Sequence, residues 1–316
     1  MVNKIFNKSC LIGLPELPEK SVNCCVTSPP YYGLRDYGHD EQIGMEETPE
    51  AFVQKLVEVF REVKRVLKDE GTLWLNLGDS YAHGQTNNGG CSEKSTLSGG
   101  GGKYRTGSKN EKQYNTNTPK KIKHGIKPKD LIGIPWMVAF ALRADGWYLR
   151  QDIIWNKPNP MPESVTDRCT KSHEYIFLLS KSQQYYYDHE AIKNPVKDNW
   201  GTRDRTNGKY HQDGTGLQPH SGLEKEYEMA NKRSVWTVTT RPYSEAHFAT
   251  FPERLIVDCI KAGCPEGGLV LDPFMGAGTT AIVSRKLNRN YVGFEINPEY
   301  LKITEKRIAS ELGMFA

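Results

Sequence analysis

Leu271-Asp272-Pro273-Phe274-Met275-Gly276-Ala277-Gly278-Thr279-Thr280 is the stretch on which the fold turns. Leu269 to Leu271 has the make-up of a short buried strand, and the residues from Thr279 onward read as a helix. Between them, Gly276 and Gly278 allow a tight turn and a close approach of backbone to ligand. Tyr291 to Phe294 is a second strand, with Glu295 at its end, 19 residues beyond Gly276. A carboxylate there can accept hydrogen bonds from both hydroxyls of a ribose, as the acid of nucleotide-binding β-α-β units does.

The turn lacks the Gly-Lys-Ser/Thr of a phosphate loop and has only two of the three glycines of the dinucleotide fingerprint. A cofactor with a ribose and no pyrophosphate fits it, and S-adenosylmethionine is the expected one. About forty residues follow the loop, room for one strand and two helices, the last opened by Asn297-Pro298. The other strands must come from earlier in the chain, so the catalytic half precedes the cofactor half.

Upstream, Ser21 to Thr27 is a short apolar strand stopped by Ser28-Pro29-Pro30. Apolar Phe52, Val53, Leu56, Val57, Phe60, Val63, Val66 and Leu67 recur at helical spacing, which predicts a helix from Thr48 or Pro49 to Leu67. Thr72 to Leu77, Tyr148 to Trp155 and Glu174 to Leu179 read as strands, and Leu131 to Arg143 as a helix. Thr250 and Glu253 have the spacing of a capping box for a helix ending at Gly263. Strands alternating with helices predict an α/β fold with a mostly parallel sheet.

Thr27-Ser28-Pro29-Pro30-Tyr31-Tyr32-Gly33 leaves the C-terminal end of a strand, the edge at which open parallel sheets bind ligands. Two prolines remove two backbone donors and stiffen the chain, leaving carbonyls as acceptors. Ser28 adds a hydroxyl and Tyr31 a flat aromatic face. Such a clamp suits a planar molecule carrying an exocyclic amine. With these motifs in this order, the sequence resembles the DNA amino-methyltransferases of the permuted β group, Ser-Pro-Pro-Tyr type, over most of the chain.

That resemblance implies an S-adenosylmethionine-dependent (Rossmann-like) methyltransferase fold and a catalytic motif formed by Ser28, Pro29, Pro30 and Tyr31. It implies cofactor contacts from Asp272, Pro273, Phe274, Gly276, Gly278, Thr279, Thr280 and Glu295, and from Phe251 and Pro252 in Ala249 to Leu255. Asp152 to Ser180 is similar to the family's segment before its target-recognition region. Where the family often has Gly-Asp near the N-terminus, this chain has Lys8-Ser9-Cys10, so the resemblance does not carry that cofactor contact over. The implied reaction is direct methyl transfer to an exocyclic nitrogen of a base flipped out of duplex DNA. The sequence contains no Pro-Cys dipeptide to supply the nucleophile used in ring-carbon methylation. Ser28 resembles the N4-cytosine enzymes, whereas Asp is commoner there in N6-adenine ones. The expectation is therefore N4-cytosine methylation, with an N6-adenine enzyme as the alternative. An RNA or protein amine methyltransferase and a non-catalytic DNA-binding module are the more distant readings.

The net charge permits a nucleic-acid partner without requiring one. Of 316 residues, 42 are Lys or Arg and 38 Asp or Glu, a net charge of +4. Residues 82–130 alone hold ten Lys and Arg against three Asp and Glu, so the rest of the chain nets −3. Few aliphatics and four glycines at 99–102 make this segment read as a flexible basic insertion. Residues 191–241 interleave Arg and Lys with Trp200, Tyr210 and Trp236 and are taken as the target-recognition region, with Arg203, Arg205 and Arg233 as candidate DNA contacts. The core then comprises 1–81 (catalytic half), 131–190 (continuation) and 242–316 (cofactor half). Seven cysteines without Cys-x-x-Cys spacing argue against a disulfide framework or a Cys-based zinc site, and no metal is expected. The longest apolar run, Leu131 to Leu142, is too short to span a bilayer, and the N-terminus has no long apolar signal region, so a cytoplasmic protein is expected. Double-stranded DNA is the expected partner, with a cognate restriction endonuclease as a possible companion and the oligomeric state left open.

Overall fold

A computed structural model of the chain describes residues 2–34, 38–39, 41–82, 126–195, 228–240 and 251–313. Its centre is an eight-stranded sheet. In chain order the strands are β1 (Lys4–Asn7), β2 (Val22–Thr27), β3 (Leu67–Leu77), β4 (Tyr148–Asn156), β5 (His173–Ser180), β8 (Val235–Thr237), β9 (Leu269–Asp272) and β10 (Asn290–Glu295). Two short strands, β6 (Asn194–Pro195) and β7 (Met229–Ala230), pair separately. The spatial order is β1-β10-β9-β2-β3-β5-β4-β8, with every neighbouring pair parallel except the two that involve β5.

Every residue of β2 is buried, as a central parallel strand requires. Its side chains alternate between two cores. Cys25 packs with α2 (Pro49–Val66) and α3 (Ile134–Ala144), while Cys24 and Val26 pack with α4 (Glu253–Gly263). On α4's side lie α5 (Thr279–Lys286) and α6 (Pro298–Leu312), whose Ile308 packs near Ala281 and Tyr291. A one-turn helix, α1 (Cys10–Gly13), follows β1 and approaches β10 so closely that a Cβ on Gly13 would meet the Phe294 ring at 2.1 Å.

Thr48 caps α2 by accepting the Ala51 N–H at 3.1 Å, with Pro49 as the first helical residue. The expected helix from Leu131 starts instead at Ile134. Gly133 sits in the left-handed region at φ +86°, and the Asp79 carboxylate accepts the Gly133 and Ile134 N–H groups. The capping-box expectation is overturned for α4. Its N-cap is Pro252, which makes no side-chain cap, and Glu253 stands at the first helical position, too early to reach back to a cap. Glu253 instead pairs with Lys286 and Arg307, and Thr250 lies outside the described residues. β8, inside the segment assigned to target recognition, joins the main sheet as the parallel neighbour of β4.

Order matters at the centre. From β9 the chain crosses through α5 to β10 on one side, and from β2 through α2 to β3 on the other. The strand order therefore reverses between β9 and β2, and a crevice opens at their C-terminal ends. The two motifs leave from these ends.

Candidate active site

Asp272 joins the motifs. Its Oδ1 accepts the Thr27 hydroxyl at 2.6 Å and the Phe274 N–H at 3.0 Å, and its Oδ2 accepts the Thr280 hydroxyl at 2.6 Å. With 1% exposure the carboxyl has no water to share, and burial pushes its pKa from 3.8 to about 6 against the pull of those three donors. Asp272 thus braces β2, the glycine turn and the start of α5.

The turn that follows is held from behind. Gly278, at φ +76°, is the N-cap of α5, and a Cβ there would meet the Thr304 methyl at 2.4 Å. Thr304 donates its hydroxyl to the Gly276 carbonyl at 2.7 Å. Arg307, also from α6, donates to the Ala277 carbonyl at 3.2 Å and to the Thr279 hydroxyl at 2.9 Å. At Gly276, with φ +52°, a Cβ would meet nothing nearer than 3.8 Å, so it would project into the cleft beside it. Glu295 closes this end. Its Oε2 accepts the Gly276 N–H at 2.8 Å and its Oε1 the Asn297 N–H at 2.9 Å. Burial raises its pKa, and those backbone donors oppose the rise. Asn7 of β1 donates to the Glu295 and Ile296 carbonyls and so fixes the strand end.

Across the cleft, Tyr31 donates its hydroxyl to Glu174 Oε2 at 2.8 Å. Burial, then the Glu174 charge, holds the phenol well above its ordinary pKa. The same Oε2 accepts Asn76 Nδ2 at 3.2 Å, and Lys157 pairs with Oε1.

Ser28, Pro29, Pro30, Tyr31, Phe251, Pro273, Phe274, Gly276, Thr279 and Glu295 line one cavity of about 170 Å³ between the two strand ends. Of the other expected cofactor residues, Asp272, Gly278 and Thr280 stand behind its wall and shape it, and Pro252 caps α4 without lining it. Lys8, Ser9 and Cys10 belong to the wall, although they depart from the family's usual residues. Ser9 caps α1, and burial pushes the Cys10 thiol up to about 12, so it stays protonated at neutral pH. Leu34, Ile43, Ile296 and Tyr300 also line the cavity, and no spacing in the sequence marks them. Arg233 is exposed, its carbonyl accepting the Trp236 indole N–H at 2.8 Å. Arg203 and Arg205 lie outside the described residues. Among the described residues, no helix is long and apolar enough to cross a membrane, and no group of three or more His, Cys, Asp or Glu could hold a metal ion.

Comparison with known proteins agrees with this geometry. The family described as DNA methylase, of the N6/N4 methyltransferases, matches residues 22–306. The type II methyltransferase M.Cfr9I of Citrobacter freundii is 47% identical over 307 residues, covering 97% of this chain and 88% of its own. M.SmaI of Serratia marcescens is 46% identical over 296 residues, covering 92% and 86%. Among solved structures, the PvuII DNA methyltransferase (cytosine-N4-specific) superposes with a TM-score of 0.62 at 16% identity, covering 96% of this chain and 85% of its own. A Thermus thermophilus chain assigned as a DNA modification methylase, complexed with S-adenosyl-L-methionine, gives 0.57 at 22% identity, covering 97% and 93%. These structural likenesses show the fold. Matched by the family over most of its length, and by relatives close to half identical, the chain belongs to the DNA methylase family of N6/N4 methyltransferases, with S-adenosylmethionine as its cofactor.

Proposed function

We propose that the protein methylates the exocyclic N4 amine of cytosine in duplex DNA, as a site-specific enzyme acting on a flipped base. The observation that carries this reading is the single cavity lined on one side by Ser28, Pro29, Pro30 and Tyr31 and on the other by Gly276 and Glu295. The cofactor side suits S-adenosylmethionine. Each Glu295 oxygen accepts a backbone N–H and keeps acceptor capacity for a ribose hydroxyl, while Gly276 leaves open the space a Cβ would fill. Phe251, Pro273 and Phe274 supply apolar wall. When bound, S-adenosylmethionine supplies an electrophilic methyl group on a positively charged sulfonium.

The chain's own residues do the rest. The Ser28 hydroxyl and the Pro29 carbonyl accept the two N–H bonds of the amine and draw it toward a pyramidal, more nucleophilic shape. Tyr31 stacks on the base, and base–aromatic stacking of this kind is worth about 1–3 kcal/mol against the cost of flipping. Rate then comes mainly from positioning. Cys10 is the cysteine in the cavity wall, and burial disfavours the thiolate that a covalent ring-carbon route would use. Cytosine is favoured over adenine by Ser28 at the head of the motif, and the cytosine-N4-specific PvuII enzyme contributes a shared fold.

Nucleoside mass spectrometry of unmethylated DNA incubated with the protein and S-adenosylmethionine tests the reading. N4-methylcytosine is the expected product. N6-methyladenine would keep the site and overturn the choice of base, and no methylated base would overturn the DNA substrate.

A further inference from the structure

Tyr31 does more than present a ring. Its hydroxyl is buried and tied to Glu174 at 2.8 Å, and that carboxylate is gripped from two further directions by Asn76 and Lys157. The three partners come from separate parts of the sheet's edge. Asn76 lies in β3 and Glu174 in β5. Lys157 directly follows β4, its N–H held by the Ser172 carbonyl at 2.7 Å. Asn76 is itself fixed by donating to the Tyr175 carbonyl at 3.1 Å. On the edge of the ring, a Cβ at Gly78 would come within 2.7 Å of a Tyr31 ring carbon and 3.3 Å of the Glu174 carboxyl carbon. The ring is confined by backbone at its edge and by a charged acceptor at its tip.

Stability alone does not explain this arrangement. Glu174 and Lys157 are only 14% and 18% exposed, and taking such a pair out of water offsets much of its attraction. Stacking on a base also needs no hydroxyl, since a phenyl ring offers the same face.

We propose that Glu174, its charge balanced by Lys157, is a positioning residue that sets the plane and depth of the Tyr31 ring against the target base. The proposal rests on the reading of Ser28 to Tyr31 as the target-base site. With its proton committed to Glu174, the Tyr31 hydroxyl is no donor to the base, and the ring alone meets it. Loss of the tether leaves the ring in place but free to tilt, and misplacement of a stacked group by about 1 Å can cost on the order of a hundredfold in rate.

The test compares methyl incorporation into unmethylated plasmid DNA by the full-length wild type, Tyr31→Phe, Glu174→Gln and the Tyr31→Phe/Glu174→Gln double variant. Expected is a fall in kcat of about tenfold to a hundredfold in both single variants at the tether. The KM for S-adenosylmethionine and its calorimetric Kd stay within about twofold, and the double variant is no slower than the slower single. Glu174→Gln places an amide N–H₂ against either Lys157 or Tyr31. If that variant does not fold, Tyr31→Phe still deletes the bond to Glu174, together with the hydrogen bonds that Ser28 and the Gly78 backbone make with the same oxygen. Wild-type kcat in Tyr31→Phe, or losses that multiply in the double variant, would overturn the proposal. A wild type that transfers no methyl group to DNA overturns the site reading itself, and shows it before any variant is compared.

Discussion

One carboxyl group, that of Asp272, connects the catalytic strand to the cofactor turn, and it titrates inside the protein. Its ordinary pKa of 3.8 is raised to about 6 by burial, so the fold favours its protonated form. Its contribution to stability is complete below about pH 4 and is lost as pH rises through about 6. The span of the shift corresponds to about 3 kcal/mol. Asp272→Asn removes this titration while keeping an acceptor for Thr27. Urea unfolding at pH 4 and pH 7 is expected to show the wild type losing up to about 3 kcal/mol relative to Asp272→Asn across that interval. A difference that does not change with pH would contradict a buried, titrating carboxylate. At this scale Ser28, Tyr31, Gly276 and Glu295, which line the cavity, were legible, because hydroxyl, aromatic and carboxylate groups and a turn glycine stand out from their neighbours. The division of labour among them was not. Asp272 looked like a ligand contact, yet both its oxygens are engaged by protein groups.

Among the elements, α6 does the least expected work. Thr304 and Arg307 reach from it onto the glycine turn, and Arg307 ties Glu253 of α4 and Glu311 into the same network. Arg307 is 8% exposed, so its guanidinium makes these bonds with little competition from water. Arg307→Met keeps much of the side chain's length and removes its donors to Ala277 and Thr279. The turn then loses its backing, and the Kd for S-adenosylmethionine, measured by calorimetry, is expected to rise about tenfold, or about 1.4 kcal/mol. Unchanged affinity would mean that Asp272, Glu295 and Thr304 hold the turn without Arg307. Helix α2 was readable because its apolar spacing, its Thr48 cap and Pro49 are all local. Strands β1 and β8 were not. They have four and three residues at the two edges of the sheet, and so short a segment carries no period.

For the whole molecule, charge and topology meet at Ala82. Its N–H donates to the Asp130 carbonyl at 2.8 Å, and Lys129 returns an N–H to the Ala82 carbonyl at 2.9 Å. The two ends of the basic segment therefore lie side by side. Replacing residues 93–123, which hold eight Lys and Arg against two Glu, by a short Gly-Ser linker should leave the core intact. We expect an unchanged Tm and a shallower dependence of DNA affinity on salt, the slope of log K against log salt falling by about 0.9 for each phosphate no longer neutralised. An unaltered slope would place the DNA-binding surface elsewhere on the protein.

Sequence alone determined the local grammar of this protein. The strand-turn-helix of the cofactor loop, the proline-stiffened strand end, the amphipathic α2 and the order of the two halves all follow from residues a few positions apart. Tertiary structure decided which groups face each other. Thr27 meets Asp272 across 245 positions, and Tyr31 meets Glu174 across 143. Such pairings have no local signature, because they depend on which strands lie side by side and in which register. That order is set by burying the two faces of one sheet, an outcome that belongs to the chain as a whole.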